Sequence, residues 1–487
     1  MPDSPKPGVA FLVDSAAITV PRQAPGQGWK ERLFAPIDIA SLVYFRILFG
    51  SILAVEAWLY FHNRWIPMEF IRPKFHFTYF GFEWVHPWPG NGMYYHFAAL
   101  GILAVCIVTG FAYRISTVLF FLGFTYVFLL EQALYLNHFY FVGLVSFLMI
   151  FVPAHRKFSV DVLLRPKLAS EFAPAWSLWA LRAQMGFVYF YGGVAKLNSD
   201  WLQGWPLRIW MPRGLDLPVL WRFRDQVWLA LAFSYSGLLL DLLAVPLLLW
   251  RRTRPYMFGV LALFHLTNSN LFDIGIFPWF ATAMTALYFE PDWPRRLIGL
   301  VFRTAKAQPP SFAIAPPPPA AQLPNTNRSF RTATVTALAV YFAIQILLPL
   351  RHWLYPGDVA WTEEGHRFSW RMKLREKDGV VAFRITDPET GQSWTRNMGH
   401  YLATWQSSEM LFRPDMLQQF AHYLADQETK PGHRRVEVRV DAEMSLNGRK
   451  PQPLLDPTVD IAAIPRSLGS ATWITLLTAP RRQSVPR

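Results

Sequence analysis

Ala183-Gln-Met-Gly-Phe-Val-Tyr-Phe-Tyr-Gly-Gly-Val-Ala-Lys196-Leu-Asn-Ser-Asp-Trp201 joins an apolar run to a polar turn, with Lys196 on the boundary. The run reads as one end of a helix in hydrocarbon, so the amine stands where hydrocarbon meets water. Desolvation there disfavours the ammonium form, and a free amine is a base. The same position suits a lysine that lays its stem along apolar surface and snorkels to the headgroups. The residues by themselves leave both readings open.

The rest of the chain supplies the membrane. Of 487 residues, 52% are hydrophobic, 16% aromatic and only 16% charged, with mean hydropathy +0.18. These values describe a polytopic α-helical membrane protein with a soluble part. About nine spans are expected, near 39–61, 93–113, 114–131, 138–153, 176–197, 228–250, 255–272, 274–290 and 332–350. The turns at Tyr113-Arg114 and Ile274-Gly275 are tight. The net charge of +14 does not indicate nucleic acid, because Arg251-Arg-Thr-Arg254, Arg295-Arg296 and His155-Arg-Lys157 sit at the ends of apolar runs. That pattern writes orientation, and no basic face with stacking aromatics accompanies it. The single cysteine, Cys106, excludes an intramolecular disulfide. No cleavable signal peptide is read in the polar, Pro-rich start, so the first span is expected to do the targeting.

With the N-terminus inside, Lys6, Arg22, Lys30 and Arg32 precede the first span, and Arg114, the 155–167 loop, Arg251–Arg254 and the 291–331 loop all fall inside. This arrangement meets the cytoplasmic-basic rule. Five regions follow: a cytoplasmic tail at 1–38, a transmembrane catalytic bundle at 39–298, a Pro-rich cytoplasmic linker at 299–331 that includes Pro316–Pro319, a last span at 332–350, and an extracytoplasmic domain at 351–487. Phe368, Trp370, Met372 and Leu374 alternate with polar residues, as do Val436, Val438, Val440, Ala442 and Met444. The domain is therefore expected to be β-rich, with one amphipathic helix at Pro414–Asp426. Asn327-Arg-Ser329 fits a glycosylation sequon, on the cytoplasmic side in this topology.

The topology places polar groups from three segments at similar depth near the outer leaflet. Lys196 ends an outward span, Asn137 and His138 begin an inward one, and His265, Asn268 and Asn270 lie on the outer half of another. Polar residues at that depth normally face the bundle interior or a cavity. Each has a structural alternative. Asn137-His138 suits a helix cap, His265 a hydrogen-bonded core histidine, and Asn268 and Asn270 bridges between helices. Asp241, deep in a span, needs a partner, expected to be Arg or His. The aromatic loop Lys74–Val85, with Tyr79, reads either as an interfacial belt or as a wall for a flat apolar cofactor such as a quinone. No G-x-S-x-G, HExxH, Walker loop or paired-Cys metal site is present, and the scattered histidines make no metal site.

Gly192-Gly-Val-Ala-Lys-Leu-Asn-Ser-Asp-Trp-Leu-Gln-Gly204 resembles the stretch around the active-site lysine of the vitamin K-dependent gamma-glutamyl carboxylases, roughly G-V-x-K-L-x-x-D-W-x-x-G, with Lys196 on its lysine. Asp38–Gly50, Tyr113-Arg-Ile-Ser116, Asn137-His138, Phe158-Ser-Val-Asp161, Phe264–Phe272, Pro291-Asp-Trp-Pro294, Phe368-Ser-Trp370, Pro414–Ala421 and Asp456–Ile461 match the family in order. The absent disulfide and the shorter C-terminus resemble a bacterial-type or reduced member, in a bacterial inner membrane or, in a eukaryote, the endoplasmic reticulum.

The resemblance implies reduced vitamin K (a naphthohydroquinone), O2, CO2 and a peptidyl glutamate as reactants, with no metal. It implies Lys196 as the base that deprotonates the hydroquinone. Oxygen then turns the cofactor into a stronger base that removes the glutamate γ-proton, the carbanion adds CO2, and the quinone leaves as its epoxide. His138 and Asn137 are expected to stabilise or position the reactants. His265, Asn268, Asn270, Tyr79 and Trp201 are expected to line the cofactor site. An epoxidising oxygenase without carboxylation, or a quinone-binding membrane protein without activity, are the alternatives.

Overall fold

A computed structural model describes residues 28–214, 220–271, 274–304 and 327–480. The Pro-rich run Pro316–Pro319 lies outside the described residues. Helices occupy each stretch read as a span: α1 Ala40–His62, α2 Gly92–Thr109, α3 Tyr113–Leu130, α4 Asn137–Phe151, α5 Ala175–Lys196, α6 Val227–Leu249, α7 Arg254–Leu271, α8 Phe277–Thr285 and α9 Arg328–Leu350. Five of these segments, α1, α2, α3, α6 and the one that begins with α9, are long and apolar enough to cross a membrane. The others fall short for physical reasons. The helix α4 is only 15 residues long and α8 only 9. Arg182, Gln184 and Lys196 lower the hydropathy of α5, and His265 and Asn268 that of α7. Helices that line a polar site read as poor spans because their inner faces are polar.

Several of the short matched motifs fasten the bundle. Arg46 of α1 is fully buried and donates to the carbonyls of Ala154 (3.3 Å) and Phe158. Asp161 accepts from the backbone N–H of Ala112 (2.8 Å) and Tyr113 (3.0 Å), which satisfies the first donors of α3. Arg295 bridges Asp38 and Glu171. Glycines set the closest helix contacts. A Cβ on Gly193 would come 2.6 Å from Leu242 Cδ2 and 3.2 Å from Leu242 N, so α5 and α6 approach with backbone nearly touching backbone. Asn327 caps α9, its Oδ1 accepting from Ser329 N at 3.3 Å.

The C-terminal domain holds less sheet than its alternating residues suggest. Its four strands are β1 Lys377–Thr386, β2 Ser393–Thr395, β3 Glu437–Leu446 and β4 Gln452–Pro453, ordered β2-β1-β3-β4 and antiparallel. Phe383 faces Val440 and Ile385 faces Val438. The alternation read in 436–444 is a buried strand face. The helix α10, Pro414–Glu428, covers it through Met416, Leu417, Phe420, Ala421 and Leu424. The stretch Phe368–Leu374, expected as a strand, is irregular. Phe368, Trp370 and Lys373 take φ of +64°, +57° and +51°, a left-handed conformation that breaks the pleat. Its alternating apolar side chains pack on the bundle and not on a sheet.

The domain sits on the bundle through more than contact. Phe77 and Ala133, from bundle loops, belong to the domain's own core. Phe75 packs on Tyr423 at 4.7 Å. The aromatic loop is thus partly an insertion into the soluble domain, which neither the belt nor the cofactor-wall reading foresaw. Buried Glu131, at the end of α3, accepts from Phe77 N (3.2 Å), Ala133 N (3.0 Å) and Gln406 Nε2 (2.9 Å).

Candidate active site

Lys196 is the last residue of α5 and is 8% exposed. Tyr189, Gly192, Gly193 and Lys196 follow one helical face at i, i+3, i+4 and i+7. The lysine does not snorkel. Its Nζ donates to Asp241 Oδ2 at 2.6 Å and to the carbonyl of Gly192 at 3.2 Å, and it lies 5.4 Å from the centre of the Trp201 ring. Asp241 comes from the middle of α6 and is likewise buried. Its expected partner, an Arg or His, is in fact Lys196. Glycine at 192 leaves room for the pair: a Cβ there would stand 3.0 Å from Asp241 Oδ2. Trp201 is fixed in turn. Its Nε1 donates to the Ser234 carbonyl at 2.8 Å, and its N–H to Asn198 Oδ1 at 2.9 Å.

A second polar group lies on the same face of α5, seven residues and so ~10 Å along the axis from Lys196. Tyr189 Oη meets His265 Nε2 at 3.0 Å and Thr285 Oγ1 at 2.9 Å. His265 is buried, and its Nδ1 meets no partner among the described residues. The Phe277 ring lies 5.6 Å from His265 and 6.1 Å from His138, so the two histidines flank one aromatic wall. Asn268 is half-buried on α7, while the side chain of Asn270 lies outside the described residues.

Asn137 is not a cap. Leu136 occupies the N-cap of α4 and makes no side-chain cap bond. Asn137 Oδ1 instead accepts from Tyr135 Oη at 3.1 Å, and that hydroxyl accepts from Phe368 N at 2.6 Å. Tyr79 stacks on Phe128 at 5.4 Å and lies 6.2 Å from Phe368. Its buried hydroxyl has no partner among the described residues, and burial pushes it well above its usual range, so it stays a neutral donor.

The hydrogen bonds of Lys196 go to Asp241 and Gly192, not to Asn137 or His138. What joins the two halves is the irregular stretch of the C-terminal domain. Phe368 packs on Tyr135 and Tyr140, and Trp370 on Tyr140 and Phe141. A Cβ on Gly192 would stand 3.7 Å from Met372 Cε, and Leu374 packs with Ala195 and Trp201. Trp370, Met372, Leu374, Tyr189 and Asp241 were not assigned to the site from sequence. Asp241 signalled itself only as an acid inside an apolar run.

Two family models match the chain: the HTTM domain over residues 34–293, and the lumenal domain of vitamin K-dependent gamma-carboxylase over 330–479. The chain belongs to the vitamin K-dependent gamma-glutamyl carboxylase family. The first model takes in the whole Lys196 face and the second the stretch that closes it. For this carboxylase-family chain, the apolar helices and the lumenal-type domain together describe a multi-pass membrane protein. No solved structure matches it.

Proposed function

We propose that the protein carboxylates peptidyl glutamate to γ-carboxyglutamate at the expense of reduced vitamin K, coupled to formation of the quinone epoxide. The observation that carries this reading is the buried Lys196–Asp241 pair beneath the C-terminal domain. Taking each charge out of water costs several kcal/mol. Moving one proton from Nζ to Oδ2 discharges both groups at once and leaves a neutral amine. Asp241 thus can take the proton that Lys196 must lose to act as a base.

The residues present suit a flat aromatic cofactor. Phe277 offers an apolar wall beside His265 and His138, and the buried, unpartnered His265 Nδ1 offers a polar contact, the usual make-up of a ligand site. His138 and His265 would hold the ring, Tyr79 stands apart from them against Phe128 and Phe368, and Trp201 would keep water from the amine. When bound, reduced vitamin K with O2 supplies the driving force to remove a carbon-bound proton that no lysine removes unaided. Asn137, held by Tyr135 and through it by Phe368, links the bundle side of the site to the domain proposed to present the peptide.

The assay is purified protein in detergent with vitamin K hydroquinone, labelled bicarbonate and a short Glu peptide. Label in the peptide together with epoxide is the expected result. Epoxide alone supports an oxygenase, and neither product supports quinone binding without catalysis.

Asn137→Ala and His138→Ala are expected to depress epoxide formation more than stability. A purely structural role would lower the melting temperature and leave turnover intact. Melting temperature against turnover for the two variants separates the roles.

The topology reads α1 as starting inside and residues 351–487 as extracytoplasmic. The basic loops at Arg114, 155–167 and Arg251–Arg254 support it. In a Cys106→Ala background, Cys placed at exposed Thr390 is expected to react with an impermeant reagent added to the extracytoplasmic side. Blocking only by a reagent that enters the cytoplasm would invert the assignment.

A further inference from the structure

Asp200 stands four residues beyond Lys196, and the chemistry above leaves it without a task. It is buried, as is Arg449 of the C-terminal domain. Arg449 Nη2 donates to Asp200 Oδ1 at 2.8 Å and Nη1 to Oδ2 at 2.8 Å. Asn447 Nδ2 donates to Oδ2 at 2.7 Å. This two-pronged arrangement fixes orientation as well as distance. Asn447, with φ +50°, and Gly448, with φ +74°, make the tight turn at the end of β3. A Cβ on Gly448 would stand 3.4 Å from the Trp205 ring, so the turn seats flush on the segment behind Lys196. The turn is anchored at its other side too. Asn447 N donates to Glu376 O at 2.8 Å, and Glu376 N donates to Asn447 Oδ1 at 2.8 Å. Glu376 in turn accepts from Trp210 Nε1 at 2.6 Å.

We propose that Asp200 and Arg449 are positioning residues: through this clamp the docked C-terminal domain holds Trp201 and the end of α5 so that Lys196 stays sealed against Asp241. The inference rests on Lys196 being the base. Leu197, Asn198 and Ser199 are the whole linkage between the clamp and the lysine, too short to absorb a displacement of Asp200. Trp201 follows Asp200 directly and lies 5.4 Å from Nζ, and Leu374, a short step before β1, shares one apolar cluster with Trp201 and Ala195. Movement of the domain therefore reaches the amine from two directions. The clamp gives the domain that would carry the peptide a mechanical hold on the group that starts the reaction.

The test uses the full chain in detergent, with Arg449→Met, which removes the prongs, and Arg449→Lys, which keeps the charge but not the two-pronged geometry. The first readout needs no turnover: the rate of reductive methylation of Lys196, followed by mass spectrometry. It is expected to rise about fivefold in Arg449→Met, and epoxide turnover to fall about tenfold with a changed pH–rate profile, because a small misplacement of a reacting group is costly. Arg449→Lys is expected to fall between parent and Arg449→Met, and it alone decides if Arg449→Met does not fold. Unchanged methylation and an unchanged pH–rate profile, with only a lowered melting temperature or a raised KM for peptide, would reduce the pair to a tie between domains and overturn the proposal. A parent that makes no epoxide would contradict the proposed function, and the methylation rates would still decide the clamp.

Discussion

In Lys196→Ala, epoxide and carboxylated peptide are expected to vanish together, since loss of a positioned base typically removes roughly 10²–10⁴-fold of rate. The pairing with Asp241 changes what the variant does to stability. Viewed alone, removing a buried amine relieves a desolvation cost. Here it strands a buried carboxylate, and breaking a buried pair from one side costs about 3–5 kcal/mol. Lys196→Ala is therefore expected to melt earlier, and adding Asp241→Asn is expected to recover melting temperature without turnover. Lys196→Arg restores the charge and the pairing but not the reaction, because guanidinium keeps its proton at any workable pH. Turnover by product analysis, set beside thermal melting of the three variants, separates base from charge. Near-parent epoxidation in Lys196→Arg would make Lys196 a fixed positive charge.

Asp241→Asn is expected to be the second large loss, about 10²-fold or more in turnover. The amide occupies the same volume and still accepts a hydrogen bond from Nζ at the 2.6 Å position. It has no means of taking the proton. The fold is expected to survive, since the lysine stem and Trp201 remain packed. The discriminating comparison is Asp241→Asn against Gly193→Ala. The latter forces α5 off Leu242 and damages packing and turnover together. Full turnover in Asp241→Asn would show that Lys196 reaches its neutral form without help from the carboxylate.

Much of the bundle was legible because apolar runs bounded by arginines state where a helix lies and how far it extends. Legibility failed where helices carry chemistry. In α5 and α7, the residues that face the site depress the very hydropathy by which a span is recognised. The pairing of Lys196 with Asp241 crosses 45 positions. Nothing in local spacing marks it, and an acid inside an apolar run announces only that some partner exists. Asn137 looked like a cap from its place before a helix. The helix starts at Asn137 itself, with Leu136 in the cap position, and leaves the amide for Tyr135. The most instructive miss is Phe368–Leu374. Alternation of apolar and polar residues signals two-sided burial, and a strand is the common way to achieve it. Here left-handed turns at Phe368 and Trp370 achieve it by other means. They send successive side chains into different parts of the bundle, which is how the soluble domain comes to close the site.

The claim on which the rest depends is that Lys196 acts as a free amine. The most direct measurement is chemical rescue of Lys196→Ala by a series of small amines of similar size and different basicity, with epoxide formation as the readout. The account predicts partial recovery that is saturable in amine, tracks the concentration of the neutral amine, and rises with its basicity. Recovery that instead follows the concentration of the protonated amine, or that guanidinium ion supplies equally well, would contradict it.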